Sequence, residues 1–308
     1  MKHTTKYIVR ALSTVWLCFL LINGLCQQDP LYGLWLNNPM AINPAYTGIN
    51  NNLTAFATYR NQWAGFDGNP TTLNAGGHIS LLRNKIGAGL MMVNDKIGEN
   101  TNTQVTGSFA YKLPINTTTT LSFGMQGGFI NYKMDPSQLT LQDPTDPLFV
   151  PVQEIKPNIG AGVMVKGEKF MFGISIPRLI NSTFDMGGQK INVYQQQFYF
   201  LGSYLFYLSE KIVMKPAVLV KAASGQPLST DLNFNFIIDR KYSAGIYTRN
   251  FNAYGLIGQI NFLDAYRLSY AFEMPTNQSV GTRFVTNEIM LTFRTSVFGF
   301  HDKSVSNF

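Results

Sequence analysis

From residue 53 onward, apolar and polar positions alternate with a period of two, the mark of strands that present one apolar face. Leu121, Phe123, Met125, Gly127 and Phe129 alternate with Ser122, Gly124, Gln126 and Gly128. Tyr266, Leu268, Tyr270, Phe272 and Met274 alternate with Arg267, Ser269, Ala271 and Glu273. The pattern predicts about fourteen strands, at residues 53–60, 71–82, 85–94, 103–113, 119–132, 156–166, 169–177, 195–208, 211–222, 228–238, 241–250, 253–263, 265–274 and 284–295. Two architectures share this periodicity. A soluble sandwich buries the apolar face, whereas a membrane barrel turns it outward to lipid and lines its lumen with the polar face.

The connections separate the two. Tight turns at residues 83–84, 114–118, 167–168, 209–210, 239–240 and at Asp264 alternate with longer stretches at 61–70, 95–102, 133–155, 178–194 and 275–283, with 250–252 a short member of the second set. In an up-and-down barrel this places every tight turn at one end, as short periplasmic turns, and the longer connections at the other, as external loops. A sandwich has no reason to sort its loops this way. The expected fold is therefore all-β, a transmembrane up-and-down antiparallel β-barrel of about fourteen strands over residues 53–295.

By parity, Lys215, Lys221, Asp231, Arg249, Arg267, Glu273, Glu288 and Arg294 face the lumen, together with Arg60, Asn233 and Asn235. They form either a polar conduit or docking lumen, or a network that fills a narrow barrel. Gly87 and Gly89 read as small lumen-facing residues. Aromatic residues near strand ends (Tyr59, Trp63, Phe66, Tyr111, Tyr132, Tyr199, Tyr204, Tyr207, Tyr266 and Tyr270) suit interfacial girdles.

Two segments precede the strands. Residues 1–26 have the parts of a secretory signal peptide, with basic Lys2, Lys6 and Arg10, an apolar run over 11–22, and cleavage expected after Cys26; acylation at Cys26 is the alternative. Residues 27–52 then form an irregular arm. Asn38-Pro39 and Asn43-Pro44 favour turns, and proline denies the segment a place in a central strand. Tyr32, Leu34, Trp35, Leu36, Met40, Ile42 and Tyr46 make the arm apolar, so it is expected to fold back at or inside the periplasmic mouth. Residues 296–308 are a C-terminal tail beyond the last strand.

Composition narrows the function. Only 13% of residues are charged, about half the usual share of a soluble domain. After the signal no apolar run of 18 residues exists, which excludes a helical span and leaves the closed barrel as the way into a membrane. The net charge of +7 falls once the signal is removed, to 21 basic against 17 acidic residues, with no nucleic-acid footprint. Cys18 and Cys26 both lie in the signal, so no disulfide or thiol nucleophile is expected. His78 and His301 are the only later histidines, too few for a His-based triad or transition-metal site. Neither a nucleophile elbow nor a phosphate loop occurs. Asp143 and Asp146 are spaced for either a turn or a calcium ion, the turn being the simpler reading. No cofactor, no metal and no catalytic residue is expected, and a barrel hydrolase stays a third choice.

One block of residues carries a resemblance. Gln28-Asp29-Pro30, Tyr32, Asn38-Pro39, Asn43-Pro44-Ala45-Tyr46 and Gly48, followed by Tyr59-Arg60-Asn61-Gln62-Trp63, Gly65 and Pro70, resembles the start of the PorP/SprF family of outer-membrane proteins of the type IX secretion system. The resemblance implies an outer-membrane, non-enzymatic barrel working with the secretion and gliding machinery. It implies as partners a secreted surface protein with a C-terminal sorting domain and periplasmic or peptidoglycan-binding components of the machinery, in contact with outer-membrane lipid. Candidate plug or partner residues are Tyr32, Trp35, Asn38, Pro39, Asn43, Pro44 and Tyr46 of the arm, with Arg60, Asn61, Gln62 and Trp63 at the external end of the first strand. The competing function is a general diffusion channel for small solutes.

Overall fold

The structure, a computed structural model, describes residues 32–136, 151–186, 189–276 and 283–302. Fourteen antiparallel strands form the barrel: β1 (Leu53–Asn61), β2 (Thr71–Leu81), β3 (Ile86–Ile97), β4 (Asn100–Pro114), β5 (Thr120–Met134), β6 (Val152–Lys166), β7 (Phe170–Ile176), β8 (Gln197–Tyr204, resumed at Phe206–Tyr207), β9 (Ile212–Ala223), β10 (Ser229–Ile238), β11 (Tyr242–Arg249), β12 (Ala253–Phe262), β13 (Tyr266–Pro275) and β14 (Thr286–Thr295). Each strand pairs with its neighbours in sequence, and β1 also pairs with β14, from Leu53 opposite Thr295 to Asn61 opposite Asn287. That last ladder closes the sheet and removes its edges. All fourteen predicted strands are present.

Two connections differ from expectation. Residues 95–102 are not a loop: β3 and β4 run on and meet at Gly98 and Glu99, Gly98 supplying a φ of 55°. Residues 178–194 contain a separate hairpin, Ser182–Met186 paired with Gln189–Tyr194. In both places the strand pattern continues in residues that periodicity alone, weakened by polar side chains on both faces, assigned to loops. Several turns have positive φ at both central residues, Asp239 and Arg240 (50° and 56°) and Leu263 and Asp264 (52° each) among them. This is the backbone twist that matches two-residue hairpins.

The outer wall is an apolar belt: Leu90, Phe109, Phe123, Met125, Phe129, Ile174, Phe234, Ile246, Leu256 and Ile289 are exposed. Tyr59, Phe66, Tyr111, Tyr204, Tyr207, Tyr266 and Tyr270 are exposed as well. Tyr132 and Tyr199 depart from the girdle expected of them and are buried inside, where their hydroxyls donate to Asn100 Oδ1 (2.8 Å) and Gln197 Oε1 (2.6 Å). Their parity decides this, since Tyr132 shares a face with the buried Ser122, Gln126 and Ile130.

The interior is filled by the chain itself. Residues 32–52 run through it as three single 3-10 turns, Trp35–Asn37, Pro39–Ala41 and Pro44–Tyr46. Pro39 and Pro44 each start a turn, where a missing N–H is no loss. Leu34, Trp35, Leu36, Met40, Ile42, Ala45, Tyr46 and Ile49 pack with Met91, Met164, Met171, Leu201 and Leu219 of the wall in one hydrophobic cluster. The expectation of a polar lumen is thus half corrected: β3 and β6 to β9 present an apolar inner face that the arm covers. Each fully buried Leu, Ile or Met is worth about 1.5–3 kcal/mol, against about 0.5–1.5 kcal/mol for a net hydrogen bond, so apolar burial dominates the seating of the arm.

The wall is recessed to receive it. A Cβ on Gly124 would overlap the Pro44–Ala45 peptide, one on Gly87 the carbonyl of Thr47, and one on Gly162 the side chain of Asn43. After Thr295 the tail folds under the tight-turn mouth, with the buried His301 accepting from Val297 N at Nδ1 (3.1 Å) and donating from Nε2 to Ser80 O (2.7 Å). Asp302 N donates to Asn51 O (2.9 Å), joining the tail to the end of the arm. A Gly124→Val substitution is expected to unseat the arm while leaving the barrel closed. Limited proteolysis should cut within residues 32–52 of the variant but not of the wild type, while heat-modifiable gel migration, the signature of a folded barrel, is retained.

Candidate functional site: the occupied lumen

Strand register builds an ion network in the long-loop half of the lumen. Arg60 lies opposite Glu288 across β1 and β14, and Asp231 opposite Arg249 across β10 and β11. Arg60, 1% exposed, donates to Glu288 Oε2 (3.0 Å) and to Glu273 Oε1 (3.1 Å). Arg249 donates to both oxygens of Asp231 (3.2 Å each) and to Glu273 Oε2 (3.1 Å), which also accepts from the Tyr247 hydroxyl (3.0 Å). The arm completes the set. Gly33 N and Leu34 N donate to the two oxygens of Glu288 (2.7 and 3.3 Å), and Arg249 reaches Tyr32 O (3.3 Å). Two guanidinium groups and three carboxylates are therefore joined by backbone N–H groups that the arm supplies, as buried charge requires.

At mid-height Asn43 is the pivot. Its Oδ1 accepts from Ala45 N (2.9 Å), capping the third turn, and its Nδ2 donates to Val163 O and Ile174 O (3.1 Å each) on β6 and β7. The absence of side chains at Gly162 and Gly173 opens the wall for it. Ser175 donates to Ile42 O (2.8 Å) and Ser122 to Ala45 O (2.7 Å). At the tight-turn end, Gly48 N donates to His78 Nδ1 (3.1 Å), and Lys112 Nζ donates to Gly48 O (2.5 Å), Ser80 Oγ (2.6 Å) and Asn51 Oδ1 (2.9 Å). Lys166 Nζ donates to Asn50 Oδ1 (2.7 Å).

The residues singled out from sequence separate into groups. Trp35, Asn38, Pro39, Asn43, Pro44 and Tyr46 are buried within the lumen and Tyr32 half-buried at its long-loop end. Arg60, Asp231, Arg249, Glu273 and Glu288 meet around the start of the arm. Lys221 lines a cavity above Tyr32 and Trp35, together with Asp95 and Arg178. Lys215 and Arg267 line a second cavity toward the tight turns, and Arg294 is buried near the β14 terminus. Asn61, Gln62 and Trp63 do not join the lumen. Asn61 Oδ1 and Gln62 O accept from Asn69 Nδ2, and Trp63, at φ 55°, packs edge-on against Phe66. They shape the 61–70 connection instead.

His78 is buried in the lumen, where its Nδ1 accepts from Gly48 N. Lys112, Ser122, Lys166, Ser175 and Tyr247 carry arm or network contacts that sequence reasoning did not single out; only their inward parity pointed to them. Among the described residues no three His, Cys, Asp or Glu side chains are placed to hold a metal. Asp143 and Asp146, like Gln28, Asp29 and Pro30, lie outside the described residues.

The model of the family described as type IX secretion system membrane protein PorP/SprF matches residues 25–293. The chain belongs to the PorP/SprF family. This PorP/SprF protein is thus an outer-membrane β-barrel of the type IX secretion system class. Among solved structures it is similar to the CymD monoaromatic hydrocarbon channel, with a TM-score of 0.50 and 10% identity over 85% of this chain and 93% of that one. It is also similar to a deltaS2 mutant of the TodX monoaromatic hydrocarbon channel (TM-score 0.47, 8% identity, 85% and 94% covered) and to Omp33 of Acinetobacter baumannii (TM-score 0.44, 11% identity, 81% and 100% covered). At 10% identity the likeness to the CymD channel concerns the barrel fold alone. No curated protein matches the sequence.

Glu288 is the acceptor shared by the wall and the arm. A Glu288→Gln substitution is expected to destabilise the barrel by about 1–3 kcal/mol, because it weakens the charge-assisted bonds to Arg60 and to the arm amide of Gly33 while Arg60 keeps Glu273. The check is a lowered urea midpoint for the variant refolded in lipid vesicles.

Proposed function

We propose that this PorP/SprF protein is a non-enzymatic anchor in the outer membrane, holding or helping to export a secreted surface protein that bears a C-terminal sorting domain. Its other contacts in this reading are periplasmic or peptidoglycan-binding components of the type IX machinery. The observation that carries the reading is the filled lumen: the arm occupies the barrel from the ion network at one end to Lys112 and His78 at the other. A barrel so occupied offers a rigid surface to partners, and it offers small solutes no wide path. Family membership supplies the type IX setting.

In this reading residues 1–26 are a signal peptide cleaved after Cys26, residues 27–52 act as a plug, and the tight-turn end with the 296–308 tail faces the periplasm. Trp35, Asn43 and Tyr46 serve the plug by packing and hydrogen bonding. Asn61, Gln62 and Trp63 serve an external loop open to a partner.

Planar-bilayer recording tests the plug. The wild-type barrel is expected to be electrically silent and a deletion of residues 29–46 to conduct. An open, ohmic wild-type pore would instead support the diffusion channel, and unchanged conductance on deletion would remove the plug. Affinity purification of the detergent-solubilised protein is expected to recover a sorting-domain protein or a periplasmic component of the machinery; recovery of neither overturns the anchor role.

A further inference from the structure

The arm has a direction. Its first described residue, Tyr32, lies at the long-loop end: Tyr32 O accepts from Arg249, the last residue of β11, and Gly33 N donates to Glu288 near the start of β14. Its last residues lie at the opposite end, where Asn52 O accepts from Ser80 N (3.2 Å) near the close of β2 and Asn51 O from Asp302 N in the tail. The chain then enters β1 and climbs back to Asn61 at the long-loop end. The residues before Tyr32 therefore leave the lumen at the end opposite to the one where β1 begins.

Gly33 holds the exit in place. A Cβ there would stand 2.7 Å from the Tyr247 hydroxyl oxygen and 3.4 Å from Glu288 Oε2, so the backbone is pressed into the ion network at this point. Behind it Trp35, Leu36, Met40 and Ile42 are at most 5% exposed. The cavities of about 60 and 30 Å³ beside the arm are too small for a second stretch of backbone to return along it. Chain length forbids the return as well. The five residues 27–31 span at most about 18 Å. The nine residues of β1 make about 30 Å of strand, which at a tilt of roughly 35–45° rises about 21–25 Å. Cys26, one residue further back, would also have to round the lower rim to set an acyl group in the periplasmic leaflet, so this route favours cleavage over acylation.

We propose that the chain before Tyr32 emerges through the external mouth, so that residues 27–31 are displayed at the cell surface as part of the face that an extracellular protein partner meets. The proposal rests on the reading in which the tight turns face the periplasm. The long-loop end already exposes Leu179, Ile180, Leu228 and Phe251. A protein arriving from outside meets these apolar groups together with the displayed segment, whereas one in the periplasm meets the tight turns and the tail.

Cysteine labelling in whole cells tests the display, since both cysteines of the chain, Cys18 and Cys26, lie before residue 27. Three single variants are compared: Asp29→Cys, Asp67→Cys in the exposed part of the 61–70 connection, and Glu210→Cys in an exposed tight turn. Each is treated with a membrane-impermeant maleimide before and after permeabilisation, with the wild type as the blank. Asp29→Cys and Asp67→Cys are expected to label in intact cells to the same extent, and Glu210→Cys only after permeabilisation. Heat-modifiable migration reports folding, and Gln28→Cys replaces Asp29→Cys if that variant does not assemble. Protection of Asp29→Cys in intact cells that label Asp67→Cys overturns the proposal, whether or not it labels after permeabilisation. The reverse pattern, Glu210→Cys labelled in intact cells and Asp67→Cys protected, overturns the orientation and the display with it. The anchor role is judged separately, by what copurifies with the wild type.

Discussion

Irregular backbone inside a membrane barrel is tolerated only when its N–H and C=O groups find partners within the protein. The twenty or so residues before β1 obey this constraint, and much of the inner wall follows from it. Short 3-10 turns satisfy part of the arm internally. The wall satisfies more: Ser122 and Ser175 donate to arm carbonyls, Lys112 donates to another, and Glu288 and His78 accept from arm amides. Glycines at 87, 124 and 162 bring the two backbones close enough for these bonds to form. Barrel and arm share a common core.

The two faces of that core do different work. On the side of β3 and β6 to β9, methionines and leucines meet Trp35, Met40 and Ile42, and the arm is held by dispersion and the exclusion of water. On the side of β1, β10, β11, β13 and β14, charged groups hold it by directed bonds. Apolar contact supplies most of the affinity and tolerates small shifts. The Arg60, Glu273, Glu288, Arg249 and Asp231 network fixes position, because buried charges lose heavily when displaced. The result is a segment both tightly held and uniquely placed.

Much of this was legible in the sequence, for identifiable reasons. A period of two survives in part of every wall strand, so strand count and lumen parity are legible directly, and the prolines at 39 and 44 exclude the arm from the sheet. Parity states which face a residue takes and says nothing of which partner it meets. Hence Arg60 and Glu288 could be assigned to the lumen without being paired, and Tyr132 and Tyr199 were assigned to the membrane interface from their position near strand ends although their parity turned them inward. The block running from Tyr59 to Trp63 reads as one motif, yet its alternation splits it. Arg60 points to the core, and the next three residues build a loop. Gly124 and Gly162 look like ordinary small residues until the arm is in place beside them.

The closing ladder joins the first strand to the last, and both carry groups that grip the arm, Arg60 at second hand and Glu288 directly. The arm is the earliest part of this structure along the chain and β14 the final wall strand. A finished cylinder would have to admit a bulky, turn-rich segment through its mouth. A curling sheet can instead wrap around it, much as a barrel is coopered on a form. The ladder that closes the cylinder is thus also the one that closes around the segment filling its interior.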